Sequence, residues 1–315
     1  MSRTLPRDTL PGDMLPSDTL PRDTLPAGAV IGIVAGGGAV PALLHGHLTQ
    51  QGRDVRLIAL AGEATLADEA TRAGGATLAG ADATHSIGDV EGVLRSFERL
   101  GVTHAVLIGW VRRRPRLAEA RLGRRALRGV PGLLRALARG DDAMLRAAVA
   151  AIEGAGVQVV GVQDLWPELV CEQGPVGRER PSGAERALIE RCAAAARALG
   201  RYDVGQGVVA VGRRIVAVEG LEGTDEMVER VARLRATGRL RQSGGVLVKM
   251  AKPGQELRAD LPSIGPDTVG GAASAGLRGI AVEAGRSLLI ERERTLALAD
   301  EHKLFVCGIG GEGAA

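Results

Sequence analysis

Residues 218–227, VEGLEGTDEM, bring Glu219, Glu222, Asp225 and Glu226 together, with the Thr224 hydroxyl among them. Clustered carboxylates suit a hard cation such as Mg2+, which takes one or two protein carboxylates and fills its other positions with water and phosphate oxygens. The same residues also suit a helix start, with Thr224 or Asp225 capping the first turn and the glutamates in solvent. Further on, VLVKMAKPGQELRADLPSIGPDTV (246–269) holds Lys249 and Lys252, two of only three lysines in a chain whose other cations are arginines. A lysine kept in that background points to a compact point charge, as on a phosphate, or to chance. Asp260, just before Leu261 and Pro262, is placed to orient a lysine or a metal, or simply to shape a turn.

A third stretch, IGIVAGGGAVP (31–41), runs from an apolar strand through three glycines to a proline where a helix begins. Strand, glycine turn and helix N-terminus together present backbone N–H groups to an anion. The dinucleotide fingerprint G-x-G-x-x-G also needs an acid after the next strand. Gly36 and Gly38 supply its first two glycines, but Pro41 takes the third place and Glu63 is a poor ribose ligand. A phosphate contact, an NAD(P) site and a purely structural turn all stay open on these residues alone.

The elements that must hold these residues follow from the apolar pattern. From Ile31, short apolar runs alternate with single helical stretches, the signature of a parallel sheet with crossover helices. Residues 27–163 read as a Rossmann-like α/β domain, with loops SIGD (86–89) and GWVRRRP (109–115) at the ligand-binding carboxyl edge of its strands. Residues 164–178, with two prolines and two glycines, read as a linker. Residues 179–311 read as a second α/β domain, opened by a helix whose Ser182 and Glu185 form a capping box. It continues through a hairpin turning at Gly212, a helix over 224–236 and alternating strands and helices to LFVCGI. Two α/β domains joined this way favour a ligand chamber between them. The first 26 residues place Leu-Pro every five positions, which excludes regular structure and any signal peptide, and read as a disordered tail.

Composition removes several classes of function. No apolar run reaches the roughly 18 to 20 residues of a membrane span, although mean hydropathy is +0.07. Aromatic residues are only 2% of the chain, which disfavours a nucleic-acid binder that stacks bases. Cys171, Cys192 and Cys307 are odd in number and widely spaced, so they read as reduced, buried thiols of a cytoplasmic protein. Ten arginines face one acid, Glu119, between Arg112 and Arg139. That run suits phosphates or an anionic membrane surface, or a solvated helical face. His45 and His47, two apart on a helix, face differently and do not share a metal. The serine-hydrolase elbow, the zincin helix motif and the P-loop are all missing.

In their order along the chain, IGIVAGGGAVP, GWVRRRP, GDDAMLR, DVGQGVVA, EGTDEM, GVLVKMAKPGQELRADLPSIGPDTV, GLRGIAVEAG and LFVCGI resemble the LpxI-type UDP-2,3-diacylglucosamine diphosphatases of lipid A synthesis. The resemblance runs from Ile31 to Ile309, carried above all by EGTD and K-x-x-K-P-x-Q-x-x-R-x-D-L-P-x-I-G. It implies a cytoplasmic enzyme, at most peripheral on the inner membrane, with two α/β domains enclosing a UDP-linked glycolipid. With Mg2+ or Mn2+, water attacks the α-phosphorus and yields UMP and 2,3-diacylglucosamine 1-phosphate.

The resemblance makes Asp225 the key acid. Beside it, Lys249 and Lys252 are expected to balance charge on the phosphoryl oxygens, and Glu222 and Asp260 to complete the metal set. Expected substrate contacts are Gly36, Gly37, Gly38 and Ala39 in the glycine turn and Gly109, Trp110, Val111 and Arg112 in the next loop. Gln206, Thr224, Gln255 and Glu283 are the contacts expected from the second domain. An NAD(P)-dependent oxidoreductase and a non-catalytic nucleotide-binding protein are the alternatives. No nucleic-acid partner is expected, and a homo-oligomer is compatible with the sequence.

Overall fold

The computed structural model describes residues 25–64, 80–111 and 141–310. Most of the Leu-Pro tail, Arg112 and the rest of the arginine-rich run lie outside the described residues.

The first half is built on five parallel strands in the order β3-β2-β1-β4-β5. They are β1 (Val30–Ala35), β2 (Asp54–Leu60), β3 (Ala83–His85), β4 (His104–Ile108) and β5 (Gln158–Val159). β1 is rich in Ile and Val and buried along nearly its whole length, as a strand covered on both faces must be. Apolar clusters lie on its two sides, one around Ile31, Leu44 and Val106, the other around Phe97, Ala105 and Ile152. Helix α1 (Val40–Gln50) follows the glycine turn with Pro41 in its first turn, where the missing N–H costs nothing. Helix α2 (Val90–Leu100) starts where the Asp89 carboxylate accepts from Gly92 N at 3.0 Å, and ends at Gly101 in the left-handed region. Helix α3 (Asp141–Gly154) precedes β5. The polar GADATHSIGD segment contains β3, an edge strand that the apolar pattern does not announce.

The segment 164–178 is not a bare linker. Helix α4 (Val162–Leu165), a 3-10 turn (Pro167–Leu169) and strand β6 (Gly174–Pro175) occupy it. Leu165 and Leu169 are buried in the first half's core, and Cys171 in the second's.

The second half is a six-stranded mixed sheet in the order β6-β13-β11-β9-β7-β8. Its other strands are β7 (Gly207–Val211), β8 (Arg214–Val218), β9 (Val246–Lys249), β11 (Gly279–Glu283) and β13 (Phe305–Ile309). β7 and β8 form the expected hairpin, with Gly212 at φ +62° in its tight turn. Helix α5 (Gly183–Gly200) carries the capping box, Ser182 N donating to Glu185 Oε2 at 2.7 Å and Glu185 N to Ser182 Oγ at 3.3 Å. It covers one face of the sheet through Ile189, Cys192 and Ala196. Helices α6 (Gly223–Ala236), α7 (Pro266–Ser274) and α8 (Arg292–Glu301) cover the other, through Met227, Val231, Val269 and Ala299. Alternate residues of β7 serve the two cores, Val208 and Ala210 on one face, Val209 and Val211 on the other.

Two short strands, β10 (Ser263–Ile264) and β12 (Leu288–Leu289), pair with each other apart from both large sheets. GIAVEAGRSLLI therefore does form two strands, but they belong to different sheets. Leu288 is buried with Ile31 and Leu44 in the first half's core, so the halves share apolar surface.

Candidate functional site

The carboxyl ends of β1 and β4 face the second half across a cleft of about 310 Å³. Gly37, Gly38, Ala39, Gly109 and Trp110 line it from the first half, and Asp225, Arg258, Asp260, Asp267 and Glu291 from the second. Open α/β sheets bind ligands at this edge.

The glycine turn owes its composition to close packing. Gly36 N donates to Ile108 O and Gly37 N to Trp110 O, both at 2.8 Å, and Trp110 N returns a bond to Gly37 O at 3.1 Å. A Cβ on Gly37 would stand 2.5 Å from the Trp110 ring, and one on Gly36 2.6 Å from the Trp110 carbonyl. Gly38 and Gly109 have φ of +90° and +100°. Because the N–H groups of Gly36 and Gly37 are committed to main-chain carbonyls, they do not cradle a phosphate. That takes two N–H groups out of the expected anion contact; Gly37, Gly38 and Ala39 line the cleft, and Gly36 lies behind its wall. Val111 is exposed beside the loop.

Asp225 stands in the first turn of α6, and its side chain is no cap. Glu222, the residue just before the helix, is in a right-handed conformation and makes no side-chain cap bond. Thr224 Oγ1 instead donates to Glu219 Oε2 at 3.1 Å. Glu222 is drawn to Arg230 Nη2 at 2.9 Å. Of the acidic cluster, Asp225 is the member that reaches the cleft.

Lys249 closes β9 and lies beneath the site, 7% exposed, with Nζ donating to Ser263 O at 2.8 Å. Burial pushes its ammonium below the usual lysine value, opposed by the carboxylates of Glu219, Asp225 and Asp260. Lys252 turns aside to pair with Asp203. Neither lysine is among the residues that line the cleft; Lys249 lies behind the wall formed by Ser263 and Asp260.

Asp260 is on the cleft wall yet deeply enclosed. Its Oδ2 accepts from Gln206 Nε2 at 3.1 Å and from Gln255 Nε2, and Gln255 Nε2 also donates to Asp260 O at 3.1 Å. Burial pushes the Asp260 carboxyl above the usual range, while Lys252, Lys249 and the two amides pull it down. Gln255 Oε1 accepts from Lys252 N at 2.7 Å, closing the turn. Glu283, 4% exposed at the end of β11, accepts from Ala251 N at 3.1 Å. Gln206, Gln255 and Glu283 thus brace the loop after β9.

Arg258, Asp267 and Glu291 line the cleft but were not singled out in the sequence. Arg258 is the R of the K-x-x-K-P-x-Q-x-x-R element, the one signal that pointed to it. Asp267 reads as an ordinary first-turn acid of α7. Glu291 gives no sequence sign of its left-handed backbone, φ +46°.

A three-carboxylate centre made of Asp225, Glu222 and Asp260 does not assemble. Glu222 is paired with Arg230 and Asp260 already holds two amides. Among the described residues no three His, Cys, Asp or Glu side chains converge to hold a metal. One cleft carboxylate, Asp225, fits Mg2+ where the ion draws most of its ligands from substrate and water. The described residues contain no helix long and apolar enough to cross a membrane.

Two family models match the chain. The one described as the LpxI N-terminal domain covers residues 30–169, and the one described as the LpxI C-terminal domain covers residues 172–307. A protein of Caulobacter vibrioides named UDP-2,3-diacylglucosamine pyrophosphatase LpxI is 37% identical over 281 residues, which cover 89% of this chain and 97% of that protein.

Proposed function

The chain belongs to the LpxI family, and on that footing we propose that it hydrolyses the pyrophosphate bond of UDP-2,3-diacylglucosamine in lipid A synthesis. The products are UMP and 2,3-diacylglucosamine 1-phosphate. The observation that carries this reading is Asp225, standing in the cleft opposite the Gly37–Ala39 and Gly109–Trp110 walls. Hydrolysis of a phosphoanhydride needs an aligned water and a way to bear charge on the phosphoryl oxygens.

Asp225 orients the attacking water or holds the divalent cation, and Glu219 and Asp260 share the field of the buried Lys249 with it. When bound, the cation neutralises charge on the phosphate oxygens. Lys249 acts from beneath, its amine held to Ser263 O under the acidic wall. Trp110, 43% exposed over the glycine turn, offers its ring edge to the nucleotide or sugar. The arginine run from Arg112 to Arg139 brings a cytoplasmic enzyme to an anionic membrane surface, where its substrate resides.

The purified protein is expected to release UMP from UDP-2,3-diacylglucosamine, to stop in EDTA and to resume with Mg2+. Undiminished turnover in EDTA would remove the cation from this account.

A further inference from the structure

The GDDAMLR stretch has no part in the chemistry above, yet its second aspartate reaches directly into the cleft loop. Asp142 Oδ1 accepts from Glu256 N at 2.8 Å, across 114 residues of sequence and from one half of the molecule to the other. Its Oδ2 accepts from Arg146 Nε at 2.7 Å, one turn along α3, which fixes the carboxylate's rotation.

Two further side chains of the first half grip the next two residues of the same loop. Gln163 Nε2 donates to Leu257 O at 3.3 Å, and Glu153 Oε1 accepts from Arg258 Nη1 at 2.7 Å. Glu153 lies eleven residues after Asp142, three helical turns, and so on the same face of α3. Arg258 is also held by both oxygens of Glu256, each at 2.9 Å. Residues 256–258 are thus pinned one after another, and residues 257–261, Asp260 among them, line the cleft.

We propose that Asp142 is a positioning residue for hydrolysis: through the Glu256 amide it fixes the loop that carries Arg258 and Asp260. The proposal rests on the pyrophosphatase reading and adds to it that the first half holds the second half's cleft wall in register. A loop released at Glu256 displaces its wall residues by a fraction of an ångström or more, and misplacement on that scale costs turnover far more than it costs the fold.

The test compares Asp142→Ala, Asp142→Asn and wild type in the full-length protein. Amide hydrogen exchange at Glu256 and UMP release from UDP-2,3-diacylglucosamine are both measured. Asparagine keeps an oxygen for the Glu256 amide and alanine does not. The alanine variant is expected to exchange Glu256 at least about tenfold faster and to lose about tenfold or more in kcat with a smaller change in KM. The asparagine variant is expected to recover most of both. Wild-type kcat in the alanine variant, or equal loss in both variants, overturns the proposal. If Asp142→Ala does not fold, Glu153→Gln at the half-exposed end of the same face takes its place: lowered kcat is expected, and unchanged kcat overturns. A wild-type protein that releases no UMP would overturn the pyrophosphatase reading instead, and the exchange comparison would still decide whether Asp142 holds the loop.

Discussion

Gly37 and Trp110 exchange two backbone hydrogen bonds, 2.8 and 3.1 Å, that tie the turn after β1 to the turn after β4. The indole then lies over Gly37 and Gly38 so closely that no side chain fits beneath it. What resembles half a dinucleotide fingerprint is a packed junction that shapes one wall of the cleft.

Gly37→Ala forces its methyl into the Trp110 ring, and overpacking of this kind costs about 1–3 kcal/mol. Chemical denaturation should show that loss, and adding Trp110→Ala should recover part of it. If the two changes are simply additive, the ring is not what excludes the methyl.

Lys249 is a buried amine in the field of the Glu219, Asp225 and Asp260 carboxylates, which oppose the lowering of its pKa by burial. Lys249→Met removes the buried amine and leaves Ser263 O without its donor, a change of the type that costs about 1–3 kcal/mol. Urea unfolding should register most of that loss. A variant as stable as wild type would show that Ser263 O does not depend on Lys249.

Glu256 is held below the ordinary glutamate value by the Arg258 guanidinium that bonds both its oxygens. Its folded-state pKa is depressed, so its contribution is whole above the ordinary value, about pH 4.3, and is lost as pH falls through the depressed one. Unfolding temperatures of wild type and Glu256→Gln, followed from pH 7 to pH 3, should differ at neutral pH and converge in acid. A gap that is constant with pH would contradict the pairing.

Much of the scaffold was legible in the sequence because it rests on local signals. Ser182 and Glu185 announced α5, Gly212 announced the hairpin, and the Ile- and Val-rich runs announced the parallel strands. The short strand β3 was not legible, since an edge strand of Ala-Thr-His carries no apolar run. The segment 164–178 misled because its prolines and glycines hide Leu165, Leu169 and Cys171, which are buried by partners far away in sequence. At the site, EGTD contains Asp225, which lines the cleft. Glu222 and Lys252 fell outside because Arg230 and Asp203 capture them, pairings that depend on tertiary geometry. Arg258 reached the cleft unnoticed for the same reason: its partner Glu153 is 105 residues away.

On the proposed function, Asp225 drives pyrophosphate hydrolysis in the cleft between the two halves. The most direct measurement is UMP release from UDP-2,3-diacylglucosamine by Asp225→Asn, alongside circular dichroism and binding of the same glycolipid. Asp225 lies on the cleft wall and outside the buried core, so fold and binding should be retained while kcat falls by about 100-fold or more. Turnover within about twofold of wild type would contradict the account.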